Sequence, residues 1–334
     1  MRILTLLVLS VALLVAACSS SDEPSEFREI TFMAGFKPQA NLPFVAAYVA
    51  QEKGYFAEQG LDVRIRHSTG EHLKLLLSGD VDITTANADS VLKRRSSPDV
   101  PIRAIALFGQ SGQAAYVALE SEGIRTPKDW EGKIFGYKTS LPAEYLAVVR
   151  AAGVDRSKID EVKVGFDPRI LTEGRVDILA VFKSNEPDTI RKLGFPVTVF
   201  NPEDYGVPTL GLTYIVQEST IAEDADMVER FLKATMKGFG FAVENEEETL
   251  DIVLRFAPNE DRDHQRFMLR EELRNAESAV TEQGGLGAMT DEQWKELYDH
   301  LIEFEALANP FDYRTAYDDQ FLGRIYDDAE LSWP

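Results

Sequence analysis

The sequence predicts an α/β protein of two lobes, on three observations. Short apolar, β-branched stretches alternate with helix-like stretches from Ile30 onward, the order that builds a parallel or mixed sheet. The alternation starts afresh near Lys133, as a second unit would. Beyond Met227 the strands give way to apolar stripes at helical spacing. A hydrophobic content of 44% and an aromatic content of 10% supply a real core for such a fold.

The elements follow in order. Ile30 to Gly35 (ITFMAG) is β-rich and ends in glycine, the first strand. Asn41-Leu-Pro-Phe44 opens a helix of small and apolar residues, Val45 to Lys53, closed by Gly54. Leu61-Asp-Val-Arg-Ile-Arg66 alternates apolar and charged residues, the period of a half-buried strand. Ser68-Thr-Gly-Glu71 has capping-box spacing before a helix at His72 to Leu77. Val81 to Thr85 reads as a short strand, and Ile102 to Phe108 as one covered on both faces.

The second unit opens with a strand at Lys133 to Tyr137, after which Thr139/Ser140 with Pro142 begin a helix. Strands are expected at Val162 to Gly165, Val176 to Phe182, Pro196 to Phe200 and Gly211 to Val216. The helical part carries three stripes. The first is Met227, Val228, Phe231, Leu232 and Met236, and the second Leu250, Val253, Leu254 and Phe256. The third is Trp294, Leu297, Leu301, Ile302 and Phe304. No internal repeat is visible.

The amino terminus reads as a targeting segment. Arg2 precedes an apolar run, Ile3 to Ala17, broken only by Thr5 and Ser10. The run is shorter than the roughly 20 residues a membrane span needs, and it ends in small residues, as a cleavage site does. Cys18, the one cysteine of the chain, follows directly. That arrangement resembles the lipobox of bacterial lipoproteins. The resemblance implies that residues 1–17 are a signal peptide, that cleavage falls before Cys18, and that Cys18 carries lipid. Residues 18–27 are then a lipidated tether, with Ser19 to Glu26 (SSSDEPSE) polar and without apolar period. The mature protein is expected outside the cytoplasmic membrane, anchored by lipid.

Charge and motifs exclude several function classes. Loss of Arg2 leaves 34 basic against 56 acidic residues and takes the formal charge from −21 to −22. A body this acidic repels nucleic acid and anionic headgroups. With Cys18 lipidated no thiol remains for a disulfide, a thiolate metal site or a nucleophile. Gly109-Gln-Ser-Gly-Gln113 is not a nucleophile elbow, and Gly284-Gly-Leu-Gly287 lacks the third glycine of a dinucleotide fingerprint. The four histidines, His67, His72, His264 and His300, show no metal-ligand spacing. Nothing in these motifs asks for a catalyst, and the expectation is no catalytic residue, no metal and no resident cofactor.

Several stretches together resemble a known family. They are Gly35-Phe-Lys-Pro-Gln-Ala-Asn-Leu-Pro-Phe44, Tyr48-Val-Ala50 and Lys53-Gly-Tyr-Phe-Ala-Glu-Gln-Gly-Leu-Asp-Val63. Leu75-Leu-Leu-Ser-Gly-Asp-Val-Asp82 and Thr126-Pro-Lys-Asp-Trp-Glu-Gly-Lys133 complete the set. The set is similar to the solute-binding proteins for thiamine pyrimidine precursors, alkane sulfonates and nitrate. The resemblance implies a two-lobed periplasmic-binding-protein fold of type II, with ligand in the inter-lobe cleft and delivery to an ABC permease. Lobe 1 would be residues 28–115 with 213–334, and lobe 2 residues 116–212. A monomer is implied, since both lobes must face the permease. Fungal pyrimidine synthases share the fold but use a cysteine-rich motif, which is absent here. A sensor that presents its ligand to a membrane receptor has the same sequence features.

Within the family, thiamine-precursor binders carry tryptophans after the first strand and in an aromatic segment of lobe 2. The corresponding stretches here are Phe36-Lys-Pro-Gln39 and Phe182-Lys-Ser-Asn-Glu186. Glu186 stands where a carboxylate would take the amino or imino edge of a ring, but the tryptophans are gone. These stretches, with Gly165-Phe-Asp-Pro-Arg169 and Asp204-Tyr-Gly-Val-Pro-Thr209, look most like the riboflavin-binding branch of the family. The expected cargo is therefore riboflavin, carried as a ligand. A thiamine pyrimidine precursor comes second, and a sulfonate or other anion third.

A flat heteroaromatic ligand needs apolar faces and a few fixed polar groups. The aromatic candidates are Phe36, Phe44, Tyr137, Phe166, Phe182 and Tyr205; each has a second reading as a core residue. The polar candidates are Gln39, Asn41, Asn87, Asn185 and Glu186, which could equally cap or turn the chain. Asp89 follows the same strand end as Asn87. Lys183 reads as either a cleft cation or a surface lysine, and Ser140 as an anion donor or an N-cap. Thr139, Gln110 and Gln113 are the candidate partners for a hydroxylated side chain.

Overall fold

The computed structural model describes residues 27–97, 100–138 and 141–334. The expected leader, Cys18 and most of the expected tether, and also Thr139 and Ser140, lie outside the described residues. No helix among the described residues is long and apolar enough to cross a membrane.

Two five-stranded sheets with the same order organise the chain. In the first, β1 (Arg28–Ala34) pairs in parallel with β2 (Leu61–His67) and β3 (Ile83–Asn87). Next to β3 runs β10 (Leu212–Gln217), antiparallel both to it and to β4 (Ile102–Leu107). In the second sheet β6 (Ile134–Tyr137) pairs in parallel with β7 (Asp160–Lys163) and β8 (Ile178–Phe182). There β5 (Ala114–Leu119) is antiparallel to β8 and to β9 (Val197–Phe200). The chain crosses from the first sheet to the second between β4 and β5, and returns between β9 and β10. Each sheet thus receives its inserted antiparallel strand directly after a crossing.

Helices α1 (Leu42–Glu52), α2 (Tyr55–Glu58), α3 (His72–Ser78) and α4 (Ala88–Arg95) join the first strands. Helices α5 (Ala143–Ala151), α6 (Arg169–Thr172) and α7 (Glu186–Lys192) belong to the second unit. After β10 come α8 (Glu218–Glu223), α9 (Ala225–Glu244), α10 (Glu246–Phe256) and α11 (Arg262–Ala276). Then come α12 (Ala279–Gly284), α13 (Asp291–Glu303) and α14 (Leu322–Ile325), and a short antiparallel pair, β11 (Tyr326–Asp327) and β12 (Glu330–Leu331), ends the fold.

Helix α1 is buried from Leu42 to Ala50, because it lies between the first sheet and α9. The approach depends on small residues: a Cβ at Gly238 of α9 would lie 2.3 Å from the Ala46 carbonyl oxygen, so glycine is required there. The other face of the first sheet is covered by α4 and α13, through Val91, Leu92, Trp294 and Leu297. The second sheet buries an aromatic cluster on one face, Tyr116, Trp130, Phe135, Tyr145 and Phe200. Its opposite face packs aliphatics, among them Val117, Leu171, Leu179 and Ile190.

Most expected elements lie within two residues of their observed bounds. Several short helices, α4, α7 and α8 among them, were not anticipated, nor were two larger elements. Strand β5, AAYVAL, sits between β8 and β9 with five of its six residues buried, so it shows no polar alternation. Helix α11 buries Gln265, Met268, Leu269, Glu272 and Ala276, a regular helical stripe. Two of those five are polar, which hides the stripe from a search for apolar periodicity.

Candidate ligand-binding cleft

The two crossings touch at the floor of a cleft between the lobes. The Gly211 N–H donates to the Gly109 carbonyl at 2.8 Å, and the Gly112 N–H to Thr209 Oγ1 at 2.8 Å. A Cβ at Gly109 would stand 2.8 Å from Gly211 Cα, so glycines allow the crossings to lie side by side. The cleft above them has a volume of about 520 Å³, within the range of roughly 300–1,000 Å³ usual for small-molecule sites. Asn87, Asp89 and Lys93 line it from β3 and α4. Gln113 lines it from the crossing between β4 and β5, and Glu144 and Phe182 from the second lobe.

Unengaged polar atoms mark this cleft. Asn87 Oδ1 and both polar side-chain atoms of Gln113 are buried and have no hydrogen-bond partner. Buried polar groups normally find partners, and these belong to residues that face one hollow. Asn87 is the N-cap of α4 but makes no capping bond with its side chain. Gln110, three residues before Gln113, is fully engaged: it donates to the Ala288 carbonyl at 2.9 Å and accepts from Ser278 and Gln293. Of the two glutamines, Gln113 alone has donor and acceptor to offer. Asp89 holds Lys93 at 2.6 Å, and burial, then the Asp89 charge, push the Glu144 carboxyl above the usual carboxylate range.

A second set of side chains adjoins the cleft through Phe182. Glu186 Oε2 accepts the Phe182 N–H at 2.8 Å, and Glu186 Oε1 accepts from the Lys138 ammonium. The Lys138 and Glu186 side chains are 10% and 7% exposed. Lys138 Nζ lies 5.8 Å from the Phe166 ring centroid and 5.6 Å from that of Phe182, a cation–π arrangement. Those two rings are 67% and 43% exposed and present open apolar faces on either side of the same cation.

The lobes are clasped beside the cleft. Glu272 of α11 accepts Asn41 Nδ2 at 3.0 Å, the Leu42 N–H at 3.3 Å and Ser184 Oγ at 3.0 Å. It thereby ties the start of α1 to the β8–α7 turn. Burial raises its pKa from 4.5 to about 7, and the three donors hold it from going higher. Gln265 accepts the Ala40 N–H at 2.7 Å, and Gln39 donates to Asn41 Oδ1. His264 Nδ1 lies 2.7 Å from Asp188 Oδ2, and its Nε2 3.0 Å from Asn185 Oδ1. Lys192 reaches Asp261 at 2.6 Å.

The sequence candidates therefore fall into several groups. Asn87 and Phe182 line the cleft, with Asp89 and Gln113; Glu186 and Phe166 gather around Lys138 next to it. Gln39, Asn41 and Asn185 belong to the clasp, where their amides are engaged. Phe44 is 2% exposed in the core with α1 and α9, and Tyr137 packs against the aromatic cluster of the second sheet. Tyr205 borders a different hollow, of about 580 Å³, between α5 and α13, with Arg150, His300 and Phe304. Phe36 is 52% exposed after β1, and its carbonyl oxygen lies 3.2 Å from His67 Nδ1. Lys183 is buried and bonded to Glu203 and Ser111, so it is not a free cleft cation. Sequence reasoning did not single out Lys138, Glu144 or Glu272. Proximity of Pro142 to Glu144 was the available signal for Glu144; nothing local distinguishes the other two.

The comparisons agree with this architecture. Residues 41–249 match the family model described as NMT1/THI5 like. The formylaminopyrimidine-binding protein of Halalkalibacterium halodurans is 29% identical, over 92% of this chain and 95% of its own length. The riboflavin-binding protein RibY of Chloroflexus aurantiacus is 24% identical, over 96% and 98%. The aliphatic sulphonate binding protein SsuA of Escherichia coli superposes with a TM-score of 0.64 at 13% identity, over 92% of this chain and 94% of that one. The desulfurization enzyme DSZB does so at 0.61 and 12%, over 88% and 98%. Two sheets of order β2-β1-β3-β10-β4 and β7-β6-β8-β5-β9, a cleft at their crossings and this match place the chain in the NMT1/THI5-like family, with a two-lobed periplasmic-binding-protein fold.

Proposed function

We propose that the protein is the extracytoplasmic solute-binding component of an ABC importer and that it captures a flat heteroaromatic vitamin, riboflavin first. The observation that carries this is the pair of unengaged amides, Gln113 and Asn87, in a cleft that also exposes the Phe182 ring. Gln113 offers a donor and an acceptor side by side, the complement of an amide or imide ring edge. The Phe182 and Phe166 faces suit an extended ring system. The second reading is a thiamine pyrimidine precursor, favoured by the similarity to the formylaminopyrimidine-binding protein.

In this reading the ligand is held and released unchanged, so the protein is no enzyme and needs no cofactor. It is a monomer that presents both lobes to a permease. Lipid on Cys18, after loss of residues 1–17, keeps it at the outer face of the cell membrane. Intact mass of the membrane-extracted protein checks the anchor.

The functional test is a thermal-shift screen of the tether-free protein with riboflavin, hydroxymethylpyrimidine, taurine and nitrate. A ligand at 100 times its Kd adds about 2.7 kcal/mol of stability. Stabilisation by riboflavin, or a yellow purified protein, supports the flavin reading. Stabilisation by the pyrimidine alone moves the assignment to the second reading. Stabilisation by taurine or nitrate alone refutes both.

A further inference from the structure

We propose that Lys138 sets the ligand class: held on Glu186 between Phe166 and Phe182, it makes the site that adjoins the cleft at Phe182 select a ring edge that carries carbonyl oxygens and reject an amino-bearing or cationic edge. The inference rests on the heteroaromatic reading above and narrows it.

The argument starts from Glu186. Taken alone, a carboxylate at the start of α7 invites an amine or ring N–H. Here both of its oxygens are engaged, one by the Phe182 N–H and one by the Lys138 ammonium. A ligand amine could reach it only by expelling the ammonium. Lys138 is nine-tenths buried, so that exchange would strand a charge in a poorly hydrated place. The pair therefore stays intact, and what it offers a ligand is the lysine side of it.

An ammonium has three protons. Among the described residues Glu186 is its one hydrogen-bond acceptor, which leaves two N–H groups for a ligand oxygen. The exposed Phe166 and Phe182 rings flank the same cation at 5.8 and 5.6 Å. A flat ring resting on either face brings its edge toward Lys138. A carbonyl edge is matched there, whereas an amino edge sets donor against donor. A full anion gains little, because Glu186 already balances the ammonium. Lys93, the lysine that lines the cleft itself, is bonded to Asp89 and does not substitute.

The experiment is calorimetric titration of the wild-type protein and of Lys138→Met and Lys138→Arg with two probes, riboflavin for the carbonyl edge and hydroxymethylpyrimidine for the amino edge. Wild type is expected to bind riboflavin the more tightly. Lys138→Met is expected to weaken riboflavin at least tenfold and to strengthen the aminopyrimidine, and Lys138→Arg to keep the wild-type order. Where Lys138→Met does not fold, judged by its melting curve, the order in Lys138→Arg decides: kept, it supports the proposal, and reversed, it overturns it. Unchanged riboflavin affinity in a folded Lys138→Met overturns this inference and leaves the proposed function standing. A wild-type preference for the aminopyrimidine overturns this inference and moves the proposed function to its second reading. Binding of neither probe overturns both.

Discussion

Asn41 and Asn87 look alike in the sequence and do opposite things in the structure. Asn41 follows β1 and Asn87 ends β3; each is the N-cap of the next helix, and neither caps it with its side chain. The Asn41 amide is engaged by Glu272 and Gln39 in the clasp between the lobes. Asn87 Oδ1 is buried and engaged by nothing, in the cleft a few residues from Lys93. The same contrast separates Gln110 from Gln113. One inter-lobe contact is thus complete by itself, and the other is complete only when something else enters. The polar groups that hold the lobes and those that await a ligand differ in whether their hydrogen bonds are already made.

The comparison breaks most visibly at Glu272. Replacement by alanine removes the acceptor of Asn41, Leu42 and Ser184 at once. Each unmet buried donor costs about 1–3 kcal/mol, so Glu272→Ala is expected to lower unfolding stability by roughly 3–5 kcal/mol in denaturant titration. A loss below about 1 kcal/mol would mean that the clasp does not hold the lobes.

The clasp also has a sign in pH. Glu272 titrates near 7 in the folded protein against 4.5 ordinarily. The folded state therefore binds this proton more tightly than the unfolded state. The resulting stability is complete below about pH 4.5 and is lost as pH rises through about 7, a change of about 3 kcal/mol. Glu272→Gln lacks that titration. Its stability relative to wild type is expected to rise by about that amount between pH 4.5 and pH 8; parallel curves would refute a protonated Glu272.

In the cleft the prediction reverses. Gln113→Leu removes groups that have no partner in the unliganded protein, so its melting temperature should hold or rise. Ligand affinity should fall by roughly 10- to 100-fold, the equivalent of about 1–3 kcal/mol for a buried hydrogen-bonding group. A destabilised protein with unchanged affinity would put Gln113 with the clasp. The smallest effect is expected at His264→Ala, which removes the contacts to Asp188 and Asn185 at a cost of about 1 kcal/mol. Its signature is a larger radius of gyration of the unliganded protein in small-angle scattering, reversed by ligand.

The architecture was legible in the chain because it rests on local chemistry. Alternating Leu61 to Arg66, the apolar Ile102 to Phe108 and the stripe from Met227 to Met236 each state their element within a dozen residues. Phe166 and Phe182 were legible as candidates at strand ends of the second lobe, but so was Tyr137, which packs against the core. Helix α11 was not, because its buried face carries Gln265 and Glu272, whose partners lie on α1 and the β8–α7 turn. Lys138 was missed for the same reason: Glu186 is 48 residues away in the chain.

By itself the sequence determined the α/β pattern, the order of the elements and the family, because hydrophobic period and turn residues act over a few positions. Tertiary structure alone decided which amide is engaged and which is open, that Phe44 is core while Phe182 faces the cleft, and that Glu186 is occupied by Lys138. Those outcomes depend on what stands opposite each side chain across two lobes, and a polar side chain acquires its role only from the partner it meets there.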